Sequence, residues 1–144
     1  MRSRYSAYAL GLGGYLVETL AADHPERSRP TAELARELGR ARLTQRYMGL
    51  AIFPAGPGEV LFHARLFVQG RDHSFVELSS FVREAEGWRY AAGELLPAKD
   101  LGRATEGALG GELGGELGGL TRDRFLTHLQ RAAAPAPPGP TPPR

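Results

Sequence analysis

EVLFHARLFVQ, residues 59–69, decides the fold. Val60, Phe62, Ala64, Leu66 and Val68 recur at every second position, so one side of an extended chain is apolar without a break. A repeat of two marks a strand laid against a core. Breakers bracket it: Pro54-Ala55-Gly56-Pro57-Gly58 before it and Gly70-Arg71-Asp72 after it. Working outward, residues 47–53, 73–83 and 88–92 read as further strands, with Glu86-Gly87 turning between the last two. Turns this short join antiparallel neighbours.

Upstream of residue 44 the apolar period is helical. Residues 4–10 place Tyr5, Tyr8, Ala9 and Leu12 on a common face, and the Gly11-Leu12-Gly13-Gly14 cluster interrupts the helix. Residues 15–22 carry Tyr15, Leu16, Thr19 and Leu20 at the same spacing, and His24-Pro25 is expected to stop that helix. A third helix is expected over residues 32–40, with Thr31 as its N-cap, Leu34, Ala35 and Leu38 as its apolar face and Gly39 near its end. Helical pieces followed by an antiparallel meander of about four strands make an α+β arrangement.

The chain is expected to divide into a body over residues 1–100, a Gly-rich linker over 101–120 built on Gly-Gly-Glu-Leu repeats, a short helix over 121–132 and a Pro-rich disordered tail over 133–144. Phe125, Leu126 and Leu129 would share one side of that helix.

MRSRYSAYALG (1–11), YLVETLAADHP (15–25), GLAIF (49–53), ELSSFVRE (77–84) and GWRY (87–90), in that order, resemble the middle domain of the YchJ-like family of bacterial proteins. The resemblance covers about residues 1–93, and MRSRYSAY is its most distinctive part. It implies the nuclear transport factor two-like fold, in which a curled sheet wraps around helices to form a cone. It implies no established activity. It also implies a cysteine-rich, zinc-binding segment of the SEC-C type just upstream. That segment is not in this sequence; either it was lost or the start codon is set too far downstream, the second being the favoured expectation, to be checked by translating the DNA ahead of Met1. Family members often carry histidine immediately before the glutamate equivalent to Glu77, whereas this chain has Val76, so no role is assigned to such a histidine.

Glu77 is the most informative single residue. Alternation places Phe75, Glu77, Ser79 and Phe81 on one face of a strand and Val76, Leu78, Ser80 and Val82 on the other. If the first face lines the cone, a carboxylate sits among aromatic side chains and needs a cation or donors. Arg4, Arg2 and the hydroxyls of Tyr5 and Tyr8 are the expected suppliers, with an Arg4–Glu77 ion pair as the leading arrangement. Arg4, Tyr5, Tyr8, Phe75, Glu77, Ser79, Phe81, Trp88 and Tyr90 are the candidate pocket residues. Glu77 is a weak candidate for general acid/base work, and no catalytic residue is assigned.

Cysteine is absent, so disulfides, thiolate catalysis and Cys-ligated zinc are excluded within this chain. His63 and His73 fall on neighbouring strands and His24 and His128 at the surface, which is no metal-ligand set. No phosphate loop or nucleophile elbow is present, and no cofactor is expected. Residues 5–17 come nearest to an export signal but hold three glycines and three tyrosines, and no run reaches a membrane span. A cytoplasmic location is the expectation.

The net charge of +2 argues against a bulk nucleic-acid binder. Up to residue 46, eight arginines face five acids, a local +3, with Glu33 and Glu37 expected to pair with Arg36 and Arg40. Three functions stay open. A non-catalytic binding or assembly domain is favoured, followed by a small-molecule pocket that uses Glu77, and then an RNA- or ribosome-linked contact through the N-terminal arginines. The face with Val76, Leu78 and Val82 lacks an expected cover, so a homodimer through it is anticipated, with the 121–132 helix as the competing cover.

Overall fold

A computed structural model describes residues 1–105 and 119–133. Helices α1 (Arg2–Leu10), α2 (Gly13–Glu18) and α3 (Thr31–Thr44) lead into a five-stranded antiparallel sheet. Its strands are β1 (Gln45–Phe53), β2 (Glu59–Val68), β3 (Arg71–Asp72), β4 (Phe75–Glu84) and β5 (Gly87–Pro97). The main path runs β1-β2-β4-β5, and the two-residue β3 pairs with β2. Helices α4 (Ala98–Thr105) and α5 (Arg122–Ala133) follow.

Gly11 ends α1 in the left-handed region, at φ 73°, where its N–H caps the carbonyls of Ala7 and Tyr8. Glycine adopts that conformation without steric cost, which lets α2 start two residues later and fold back. α2 stops at Glu18, short of the expected residue 22. The chain instead runs extended beside β5, where Tyr90 N–H donates to Thr19 C=O and Ala21 N–H to Tyr90 C=O, both at 2.8 Å. His24-Pro25 opens a 3₁₀ turn, Pro25–Ser28, in which His24 Nδ1 accepts from Glu26 N–H.

Three further local expectations are corrected. Thr31 is the first residue of α3 and not its cap, because Pro30 occupies the cap position and no side chain bonds there. α3 passes through Gly39 to Thr44 because that glycine lies against the chain at Gly11, where an added Cβ would stand 3.0 Å from the Gly11 carbonyl oxygen. Glu33 and Glu37 pair with Arg29, which lies just before the helix and reaches over its first turns, and not with Arg36 and Arg40.

The sheet separates two clusters. Val17, Leu20 and Leu34 are buried where α2 and α3 pack, with Leu38 and Tyr90 against them. On the outer face Leu61, Val76, Leu78 and Leu96 are sealed by Leu101 of α4, by Leu120 and by Phe125 of α5. Leu126 and Leu129 pack at its margin, and Arg122 adds a two-point bond to Glu59 at 2.5 and 3.0 Å. β5 therefore runs to Pro97, five residues past the expected end, because Leu96 contributes to this core.

This corrects the premise of the expected dimer. Val76 and Leu78 are covered within the chain, and only Val82 remains exposed. The Gly-Gly-Glu-Leu repeats and the Pro-rich end lie largely outside the described residues. Among the described residues no helix is long and apolar enough to cross a membrane.

Candidate functional site

Between α1 and the inner face of the sheet lies a chamber of about 220 Å³. Alternation along β2 turns Phe62, Ala64 and Leu66 into it, and alternation along β4 supplies Phe75 and Glu77. α1 contributes the adjacent Arg4 and Tyr5, and Tyr8 one helical turn further on. Tyr47 of β1 and Tyr90 of β5 close the sides.

The aromatic rings brace one another. Tyr47 meets Tyr5 edge-on at 5.6 Å and stacks with Tyr8 at 6.3 Å, while Phe62 and Phe75 make an edge contact at 6.0 Å. Three of the chamber tyrosine hydroxyls are committed by hydrogen bonds: Tyr47 donates to Gln45 Oε1 at 2.7 Å, Tyr5 accepts from Gly49 N–H at 2.8 Å, and Tyr90 donates to Glu77 Oε2 at 3.2 Å. Burial, together with the neighbouring Tyr8 and Tyr5, pushes the Tyr47 hydroxyl up to about 12.

Arg4 is only 5% exposed. Its Nη1 donates to Leu16 C=O at 2.9 Å and to Thr19 Oγ1 at 2.5 Å, and the guanidinium lies 4.8 Å from the centre of the Tyr90 ring. These partners are uncharged, and no carboxylate forms an ion pair with Arg4 among the described residues. Burial lowers the Arg4 pKa, opposed by the neighbouring Tyr8, Tyr90 and Glu77.

The expected direct Arg4–Glu77 pair is thus corrected. The guanidinium is drawn to the end of α2, while Glu77 Oε2 accepts from Ser79 Oγ and, at 3.2 Å, from the Tyr90 hydroxyl. Arg4 acts on Glu77 through its field alone. Burial raises the Glu77 pKa, and Ser79, Tyr90 and Arg4 oppose that rise. Gly93, opposite Ser79 on β5, provides room for this arrangement: an added Cβ would lie 2.6 Å from the Glu77 carboxylate and would collide with the Tyr90 hydroxyl.

Of the nine candidate residues, Arg4, Tyr5, Tyr8, Phe75, Glu77 and Tyr90 meet in the chamber. Ser79 is fully buried behind it and bonds to Glu77. Phe81 and Trp88 lie elsewhere, lining a neighbouring cleft of about 320 Å³ with Tyr15 and Thr19, and Arg4 borders both spaces. A bulge between Ser80 and Phe81 shifts the β4–β5 register at that point. Sequence reasoning missed Tyr47, Thr19 and Gly93. The alternation of β2 did mark Phe62, Ala64 and Leu66, but as core positions only. Among the described residues no group of three His, Asp or Glu side chains converges as a metal site.

A family model described as YchJ-like, the middle NTF2-like domain of YchJ, matches residues 1–93. The UPF0225 protein of Chromobacterium violaceum is 39% identical over 100 residues, covering 65% of this chain and 69% of that protein. UPF0225 proteins of Polaromonas naphthalenivorans and Methylibium petroleiphilum are each 37% identical, covering 65% and 67% of this chain and 65% and 68% of their own lengths. The chain thus spans about two thirds of the curated relatives it matches. No solved structure gives a significant match.

Proposed function

The chain belongs to the YchJ-like family of UPF0225 proteins and carries its middle NTF2-like domain, and from that premise we propose that this domain binds a small molecule in the chamber between α1 and the sheet, without transforming it. The observation that carries the reading is the chamber itself: about 220 Å³ of space with Arg4 and Glu77 at its wall, in a sheet whose other face is tightly filled. An apolar cavity with a few convergent polar groups is the usual form of a ligand site. Its volume falls below the roughly 300–1,000 Å³ of drug-sized clefts, so the ligand is small.

Binding is favoured over catalysis by how Glu77 is held. Two donors fix its Oε2, and no histidine or second carboxylate lines the chamber among the described residues to relay a proton.

The test is a titration of tyrosine-labelled protein with a library of small aromatic molecules, followed by NMR. The chain has five tyrosines. Tyr5, Tyr8, Tyr47 and Tyr90 line the chamber, and Tyr15 does not. Ligands are expected to move the four before the fifth. Ligands that move only Tyr15 would place binding in the neighbouring cleft and contradict the reading.

A further inference from the structure

Arg4 is a buried cation whose hydrogen-bond partners are all uncharged. Both of its bonds to α2 and the turn after it leave from Nη1, and the guanidinium also interacts with the Tyr8 hydroxyl at the chamber wall, which leaves part of the fork for a ligand. An arginine fork carries several further N–H donors in one plane, a geometry that matches a carboxylate. Burying a charge without a counter-ion is costly, and an anionic ligand would supply that ion on binding. Nothing else in the chamber does so at hydrogen-bond range, because Glu77 is turned toward Ser79 and Tyr90.

The remaining wall specifies the body of the ligand. Tyr8, Tyr47, Phe62 and Phe75 present ring faces and edges, an arrangement suited to receiving another ring. On the sheet side of the chamber Glu77 Oε1 carries no hydrogen bond among the described residues, since both donors go to Oε2. It can accept a bond from a ligand hydroxyl or amine.

We infer that the ligand of this chamber is a small single-ring aromatic carboxylate, its carboxylate on Arg4 and its ring between Tyr47 and the Phe62–Phe75 pair. This rests on the chamber being the binding site. It adds the charge and shape of what binds there.

The experiment titrates the full chain with benzoate, benzamide and benzylammonium, three probes of similar size and different charge. Chemical shifts of the five tyrosines report where each probe sits. Benzoate is expected to move Tyr5, Tyr8, Tyr47 and Tyr90 and to bind about tenfold or more tighter than benzamide, the gain of a charge-assisted bond. Arg4→Gln should erase that preference and Arg4→Lys should keep part of it, so a folding defect in the first variant leaves the second as the test. Glu77→Gln should bind benzoate at least as tightly as wild type, because a like charge has been removed.

Benzamide or benzylammonium binding in the chamber as well as benzoate would overturn the anionic ligand and leave the chamber reading standing. Benzoate affinity unchanged in a folded Arg4→Gln protein would do the same. Failure of all three probes to move the four chamber tyrosines would count against both.

Discussion

On β4, Val76 and Leu78 face one side of the sheet and Glu77 and Ser79 the other, and the two sides have different physical characters. The outer side is a dry apolar core closed by α4 and α5, in which Leu61, Val76, Leu101 and Phe125 are all essentially inaccessible. The inner side holds space, a buried guanidinium, a carboxylate and four tyrosines. Period-two alternation lets one strand serve both sides, so the dry core and the chamber are separated by only one residue in sequence. The comparison teaches that the outer core supplies the close packing while the inner face keeps polar groups that a stability argument alone would not favour.

The separation is most strongly challenged at Phe125. It is fully buried, and it comes from a helix that follows the matched family domain in sequence. Phe125→Ala should lower the unfolding free energy by about 3–5 kcal/mol, as truncation of a buried phenylalanine does. Urea denaturation measures it, and a loss under about 1 kcal/mol would mean that α5 is no part of the core.

The inner face responds to a different kind of change. Gly93→Ala adds one methyl group beside the Glu77 carboxylate and the Tyr90 hydroxyl and should force them apart. Leaving buried polar groups unpaired costs about 1–3 kcal/mol. The same urea experiment reports it, and a stabilised Gly93→Ala protein would show that the Tyr90–Glu77 contact is dispensable.

Much of this division was legible in the sequence. Alternation in residues 59–69 and 75–82 assigned the faces, helical spacing placed Tyr5 and Tyr8 together, and the need of a buried Glu77 for a cation pointed to Arg4. The Arg4–Glu77 pairing was not legible, because alternation gives the side on which a group lies and not which competing acceptor it takes. Here Leu16 C=O and Thr19 Oγ1 took the guanidinium. The end of β5 was hidden by Ala91, Ala92 and Gly93, which are weak strand formers, although cross-strand pairing with β4 carries the strand on to Pro97. The landing place of α5 was open for a related reason: its apolar stripe fits any apolar face.

Protonation sharpens the comparison further. Burial raises the pKa of Glu77 above its ordinary value of 4.5, so the folded state favours the protonated form. Its stabilising contribution is fully present below the unfolded value and is lost as pH climbs through the folded one. Arg4 and Tyr8 on α1 and Tyr90 on β5 also face this carboxyl, and all three keep their ordinary charge state across that range. Glu77→Gln cannot ionise. Its stability relative to wild type should therefore rise as pH increases from 4 to 8. A flat difference between the two proteins, or one that reverses, would contradict the burial of that charge.

The smallest expected effect lies at the latch between the faces. Glu59 and Arg122 form a partly exposed pair whose side chains are 21% and 41% accessible. Glu59→Gln should lower the thermal midpoint only slightly, and less at high salt, as screened surface pairs do. A large, salt-independent loss would show that this pair, and not Phe125, holds α5 in place.

The most direct test of the division between the faces fills the inner space. Ala64 is 2% exposed and borders the chamber. Ala64→Leu adds three carbon atoms into about 220 Å³ of space, and a side chain that enters an existing void gains contacts without strain. The account predicts that, in urea denaturation, Ala64→Leu is as stable as wild type or more so, while its chamber tyrosines no longer respond to small aromatic ligands. Destabilisation of the size seen on overpacking a filled core, about 1–3 kcal/mol, would contradict it and show that the inner face is packed like the outer one.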